Sequence, residues 1–275
     1  MPNILRMDPT RTTTLRKKME RYFRGSYVKL AKAFRKFFID ESIRFEIELD
    51  VGAGVKPPTP EEISRRFIIW LDAKFEEVFD YENGDLDDLI LQAYSKGAER
   101  SYSMVKKPSL FPSKAFAAGA AIEFIRTLTT APESKGNLGL IQLNAINQYR
   151  MVNTQLKQQI SRIVSEELIS GFKPTEAVSR ISIAIDTMDK TRAKLIARTE
   201  TTRAHAEGQL DAFDALGLEN VGVLAEWSAA ADACPKCAPF DGQIFTLAEA
   251  HGLIPLHPNC RCLWLPVEES PKKVV

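Results

Sequence analysis

Cysteine and histidine are scarce in this chain, with four cysteines and three histidines in 275 residues. The scarcity is uneven, because every cysteine falls between positions 234 and 262. So few cysteines exclude a disulfide-dense scaffold, and so few histidines leave a metal-dependent hydrolase under-supplied. Long apolar runs are missing as well. The longest, such as Phe67 to Leu71 and Ala115 to Ile122, fall far short of the roughly 20 residues of a membrane-spanning helix. Met1-Pro2-Asn3 does not begin like a secretory leader, so a cytoplasmic origin is expected, where thiols stay reduced and paired cysteines favour metal. No internal repeat is visible.

What is present suffices for a large core: 44% of the residues are apolar and the mass is 30.8 kDa. The net charge of +1 conceals a cancellation. Residues 1–40 carry 11 Lys or Arg against 3 Asp or Glu, whereas residues 41–100 carry 7 against 15. Such asymmetry points to partners at the N-terminal end, or to two segments that attract each other.

Asp8-Pro9 is a helix start, and an apolar stripe of Leu15, Met19, Tyr22, Phe23, Tyr27, Leu30, Phe34, Phe37 and Phe38 carries the helix to about Phe38. Its other faces bear Arg16, Lys17, Lys18, Arg21, Arg24, Lys32, Arg35 and Lys36. These are either a solvated basic face or a docking surface for nucleic acid or an acidic protein. Residues 51–60 break the pattern as a loop, and Thr59 with Glu62 forms a capping box that opens a second helix. A third helix is expected from Asp85 to about Met104, stopped by Lys107-Pro108 and Phe111-Pro112. Ser113 can cap a fourth, ending near Thr130.

Ala131 to Leu140, with a proline and two glycines among polar residues, is the expected domain boundary. Beyond it a long helix is marked by Leu143, Ile146, Tyr149, Val152, Leu156, Ile160, Ile163 and Leu168, ending at Gly171. Pro174 opens a short helix, and Thr187 or Asp189 opens the last long one, which Gly217 stops. From there the period changes to two. Val221, Val223, Ala225 and Trp227 alternate as a strand does, Asp241-Gly242 suits a hairpin turn, and Cys262 to Val267 reads as another strand. The expected fold is mainly α: a multi-helix N-terminal and central region (residues 1–131 and 141–217) and a small β-containing, cysteine-rich module over residues 218–275.

The module is too small to bury a self-sufficient core and needs a staple. Cys234-Pro-Lys-Cys237, nineteen intervening residues, and His257-Pro-Asn-Cys260 reproduce the arithmetic of a zinc ribbon with one ligand changed to histidine. Cys262 is a surplus donor. It can replace His257 or Cys260, although spacing favours leaving it out. Two disulfides and free thiols in a packed core are the alternatives. On the last long helix, Arg198 and Glu200 point about 200° apart and are not a pair; salt bridges to other segments suit them, with a catalytic role for Glu200 or His205 as the rival.

Taken in order, Ile196-Ala-Arg-Thr-Glu-Thr-Thr-Arg-Ala, Gly217, Trp227, Asp232-Ala-Cys-Pro-Lys-Cys, Asp241-Gly242 and His257-Pro-Asn-Cys-Arg-Cys resemble the phage minor head, or head morphogenesis, family that includes the phage Mu F protein. The resemblance covers roughly residues 166–267. It implies a virion component at the portal vertex inside the capsid, made in the host cytoplasm, with portal protein, major capsid protein or packaged DNA as partners and no established catalytic activity. The family's residues map onto Arg198, Thr199, Glu200, Trp227, Asp232, Cys234, Cys237, Asp241, Gly242, His257, Pro258, Cys260 and Cys262. Structural zinc held by four of Cys234, Cys237, His257, Cys260 and Cys262 is the expected cofactor. The rivals are a zinc-braced His-Asn-His nuclease with His251 as base, and a non-specific DNA-binding protein.

Overall fold

The computed structural model describes residues 10–50, 59–81, 84–105, 120–170, 174–217 and 223–268. In order these form α1 (Thr13–Asp50), α2 (Pro60–Val78), α3 (Asp85–Val105), α4 (Ala120–Thr130), α5 (Pro132–Ser170), α6 (Pro174–Met188), a π-helical turn (Asp189–Ala193), α7 (Lys194–Ala215), β1 (Val223–Ser228), β2 (Ile244–Phe245), α8 (Leu247–Ala250) and β3 (Leu263–Glu268). The mainly helical class is as expected. The Asp8-Pro9 start, the 51–58 loop, the stops after residue 106, the Ser113 cap, Gly171 and Val221 lie outside the described residues.

Three boundaries differ from the sequence expectation. Helix α1 runs on to Asp50 rather than ending near Phe38. The break expected across residues 131–140 shrinks to Ala131, a bend between α4 and α5, because Pro132 already occupies the first turn of α5 and its fixed φ suits that place. Gly136 and Gly139 then sit inside a helix of 39 residues, each tolerated at about 1 kcal/mol relative to alanine. Likewise Thr187 and Asp189 open no new helix, since a π turn carries α6 into α7 without interrupting helical hydrogen bonding. Two further signals are realised as read. Thr59 Oγ1 accepts from Glu62 N at 3.3 Å while Glu62 Oε2 accepts from Thr59 N at 3.0 Å. Gly217 ends the chain of helices at φ +67°.

The chain forms two compact units. One comprises residues 20–83 and 147–194. Its core is aromatic: Phe23 lies 4.4 Å from Tyr149, Tyr27 5.5 Å from Phe79, and Phe34 5.0 Å from Trp70. Tyr27 donates to Asn153 Oδ1 at 3.0 Å and Asn153 Nδ2 donates to the Tyr81 hydroxyl at 2.8 Å, so Asn153 is satisfied by the two tyrosines that flank it.

The other unit comprises residues 1–19, 84–146 and 195–275. Helices α3 and α7 cross here at backbone contact. A Cβ on Gly97 would lie 2.0 Å from the His205 carbonyl oxygen, and one on Gly208 would lie 2.1 Å from that of Tyr94. The antiparallel sheet, in the order β2-β1-β3, shares one apolar cluster with α7, in which Ala206, Leu210 and Phe213 meet Trp227, Cys260 and Trp264. Trp227 and Trp264 meet edge to face at 5.4 Å. Asp241-Gly242 is not a two-residue hairpin; it closes an excursion from Ser228 to Ile244 that carries the first cysteine pair, with Gly242 at φ +78° donating to the Trp227 carbonyl.

Neither glycine of the crossing can accept a side chain without moving a backbone. Gly97→Ala and Gly208→Ala should each lower unfolding stability by roughly 3 kcal/mol or more, measured by denaturant titration. Gly136→Ala, where nothing lies within 4 Å, should be neutral or stabilising.

Candidate metal centre

Two short turns with the same backbone bond pattern build the site. In Cys234-Pro235-Lys236-Cys237 the Cys237 N–H donates to the Cys234 carbonyl at 3.0 Å, and in His257-Pro258-Asn259-Cys260 the Cys260 N–H donates to the His257 carbonyl at 3.2 Å. Proline at the second place presets φ for such turns. Asn259 stands at φ +71°, and with Pro258 before it this is the residue pair a type II turn selects. Each turn thus presents its first and fourth side chains on one side.

All five expected donors converge. Cys234 Sγ and Cys237 Sγ each lie 3.1 Å from His257 Nε2, and Cys237 Sγ lies 3.8 Å from Cys260 Sγ. Cys234, Cys237 and His257 make one triad, Cys237, Cys260 and Cys262 another, each with its ligand atoms within 4.8 Å. Cys237 belongs to both. The four cysteines are free thiols, three of them buried. Around a tetrahedral zinc, sulfurs stand about 3.8 Å apart and sulfur and nitrogen about 3.5 Å, so small adjustments convert the cluster into a coordination sphere.

The protonation pattern suits a cation. His257 Nδ1 lies 2.7 Å from the Pro258 carbonyl oxygen, which accepts only, so the ring proton sits on Nδ1 and the Nε2 lone pair faces the thiols. A hydrogen bond from Cys262 holds Cys260 down to about 5, while that bond and burial push Cys262 far up. Burial and the neighbouring Cys260 push Cys237 up to about 12. Backbone N–H groups, Cys237 first, hold Cys234 below the usual thiol value. Crowded thiols of this kind share too few positive neighbours to ionise together, and a bound cation would remove the conflict.

The residues around the cluster fall into place. Asp232 Oδ1 meets Arg261 Nη2 at 2.5 Å, tying the first cysteine turn to the residue between Cys260 and Cys262. Asp241 Oδ1 accepts from Ala229 N at 2.8 Å. Glu200 is buried and pairs with Arg203 Nε of its own helix at 3.1 Å and with Asn144 of α5 at 3.5 Å. Burial raises its carboxyl, with Arg203 opposing. Thr199 and Thr202 of α7 contact the His257–Cys260 turn directly. His205 is buried at the α3 crossing. Of the cations on α1, Arg16 is buried and donates to Thr13 Oγ1 at 3.0 Å, which corrects its place on the exposed face. Lys17, Lys18, Arg21, Arg24, Lys32, Arg35 and Lys36 are exposed, and Arg24 Nε lies 3.4 Å from Asp189.

His251 belongs to a separate polar cluster. Its Nδ1 lies 2.7 Å from Glu207 Oε2, and Glu207 Oε1 also accepts from Gly252 N at 2.9 Å. Its Nε2 is 3.9 Å from Asp211 Oδ1, and Asp211 in turn holds the Tyr94 hydroxyl and, at 3.1 Å, Asn137 Nδ2. Glu207, Asp211, Tyr94 and Asn137 escaped sequence reasoning because their only signal is polarity on a buried helix face, which no linear pattern marks.

Residues 154–265 match the protein family described as Phage Mu protein F like protein. No curated protein and no solved structure matches the chain. The matched segment includes both cysteine turns, all of α7 and the sheet up to Leu265.

The His251 clasp makes stability depend on pH. Its hydrogen bond with Glu207 raises the imidazole above its ordinary value, so the protonated ring is favoured in the folded chain. That stabilisation is complete below the ordinary histidine value of about 6.5 and fades as pH rises through the folded value. The stability gap between wild type and His251→Gln should therefore be larger at pH 6 than at pH 9 in paired denaturant titrations; equal gaps would show an uncharged ring.

Proposed function

Because residues 154–265 match the family described as Phage Mu protein F like protein, we propose that this chain is a minor head protein of a tailed phage, bound at the portal vertex inside the capsid and supporting head assembly or DNA packaging and delivery. The observation that carries this reading is the family segment itself, which encloses the whole cysteine cluster. The role is structural rather than enzymatic. His251, the base that a nuclease reading would need, is clamped by Glu207 and anchors the turn after α8 to α7.

The cysteine cluster holds structural zinc. Cys234, Cys237, His257 Nε2 and Cys260 are its ligands, each turn supplying two, and Cys262 is left over. A bound zinc ion cross-links the two turns and neutralises their thiolates, on the order of 10 kcal/mol of folding energy in small zinc peptides. Elemental analysis should find one zinc per chain, and a strong chelator should abolish the near-ultraviolet signal of the buried Trp227 and Trp264. Metal-free chains with an unchanged tryptophan signal would refute the assignment.

Docking to the portal, the major capsid protein or packaged DNA runs through the exposed cations of α1. Removing the whole helix would be uninformative, because Phe23, Tyr27, Leu30 and Phe34 are core residues. The triple substitution Lys32→Glu, Arg35→Glu, Lys36→Glu leaves those in place. It should weaken co-purification with the cognate portal protein at least tenfold at low salt, an effect that 0.5 M salt should reduce by screening. Undiminished capture would remove this helix from the interface. DNA as the partner would show instead as a log-linear fall of affinity with salt.

A further inference from the structure

The Arg198-Thr199-Glu200-Thr201-Thr202 stretch has no role in the reading above, yet it lies directly against the second cysteine turn. Thr199 Oγ1 accepts from the Asn259 N–H at 2.9 Å. Thr202 Oγ1 donates to the Cys260 carbonyl at 3.0 Å. A hydroxyl has one hydrogen to give and two lone pairs. Thr199 gives its hydrogen to the Leu195 carbonyl at 2.7 Å and so presents only lone pairs to the turn. Thr201, between Glu200 and Thr202, gives its hydrogen to the Ala197 carbonyl at 2.6 Å and lies 3.8 Å from the Met19 sulfur of α1, so it turns away from the cysteine turn.

These contacts fall on one stripe. Positions 199, 202, 206 and 209 advance by three or four and share a helix face. Gln209 continues the pattern further down, its amide donating to the Trp264 carbonyl at 2.9 Å and accepting from the Trp264 N–H at 3.2 Å. The stripe grips backbone atoms only, at two of the four residues of the turn that carries His257 and Cys260. Asn259 is held in the left-handed conformation that lets the turn close.

We propose that Thr199 and Thr202 are positioning residues of the metal centre: α7 holds the His257–Cys260 turn in coordinating geometry by hydrogen bonds to the Asn259 N–H and the Cys260 carbonyl. This rests on the zinc reading for its consequence, but not for its geometry. Supporting groups behind metal ligands are worth about 10- to 100-fold in affinity. The hydroxyl, not the volume of threonine, carries the effect.

The test uses the full chain with Thr199→Val, Thr202→Val and the matching serine variants. Zinc affinity is measured by competition with a chelating dye. In metal-free samples, the alkylation rate of Cys260 by iodoacetamide is compared with that of Cys234 by peptide mass spectrometry. Each valine variant should lose about tenfold in zinc affinity and speed alkylation of Cys260 relative to Cys234 by a similar factor. Each serine variant, although it loses a methyl from the core, should restore both values. Valine variants that match wild type in both measurements, or serine variants that fail as valine does, would overturn the proposal. A wild type that takes up no zinc would refute the metal reading alone, and the alkylation ratio then decides the positioning role by itself.

Discussion

The contact between Gly97 and the His205 carbonyl, mirrored by Gly208 against that of Tyr94, governs what the rest of its unit must do. Two helices that meet at backbone distance leave no room between them for side chains. The neighbours of those glycines are therefore driven to the flanks, and α7 is buried on nearly every face. A helix so enclosed cannot leave its polar groups to water, and each one needs an internal partner. That requirement accounts for a sequence that looks wrong for a core helix: Thr199, Glu200, Thr201, Thr202, Gln209 and Asp211 all lie buried.

The partners they find give the unit its organisation. Glu200 turns to Arg203 and Asn144, and Asp211 to Tyr94 and Asn137. Gln209 pairs with both backbone groups of Trp264, doing for β3, an outer strand, what a further strand would do. It also blunts an edge otherwise open to pairing with another chain. Pro266 withholds an N–H on the same strand. The threonines take the second cysteine turn. The module does not rest on the helices as a separate body, since its tryptophans and cysteines share one apolar cluster with Ala206, Leu210 and Phe213.

The cysteine turns themselves obey local rules. Proline second and a fourth-position N–H back to the first carbonyl define both, so each turn could form from its own few residues. What they cannot do alone is face one another. The 19 residues between Cys237 and His257 run through β2 and α8, and it is the pairing of Ala225 with Phe245 and of Trp227 with Trp264 that brings the two turns together.

Sequence alone determined the helical class, the Thr59 capping box, the Gly217 stop, the strand alternation around Trp227 and the five donors of the cluster. Each of these is a local property, written in periodicity, in cap chemistry or in the spacing of residues along one turn. Tertiary structure decided the rest. Gly136 and Gly139 read as a break but lie inside α5, because packing of a 39-residue helix outweighs two weak propensities. Arg16 read as part of an exposed basic face but is buried, because a stripe pattern gives a helix its inner face and not the width of what covers it. The grip of Thr199 and Thr202 on residues 259 and 260 joins positions about 60 apart in the chain, and only the crossing of α3 with α7 explains why a core helix carries those hydroxyls at all.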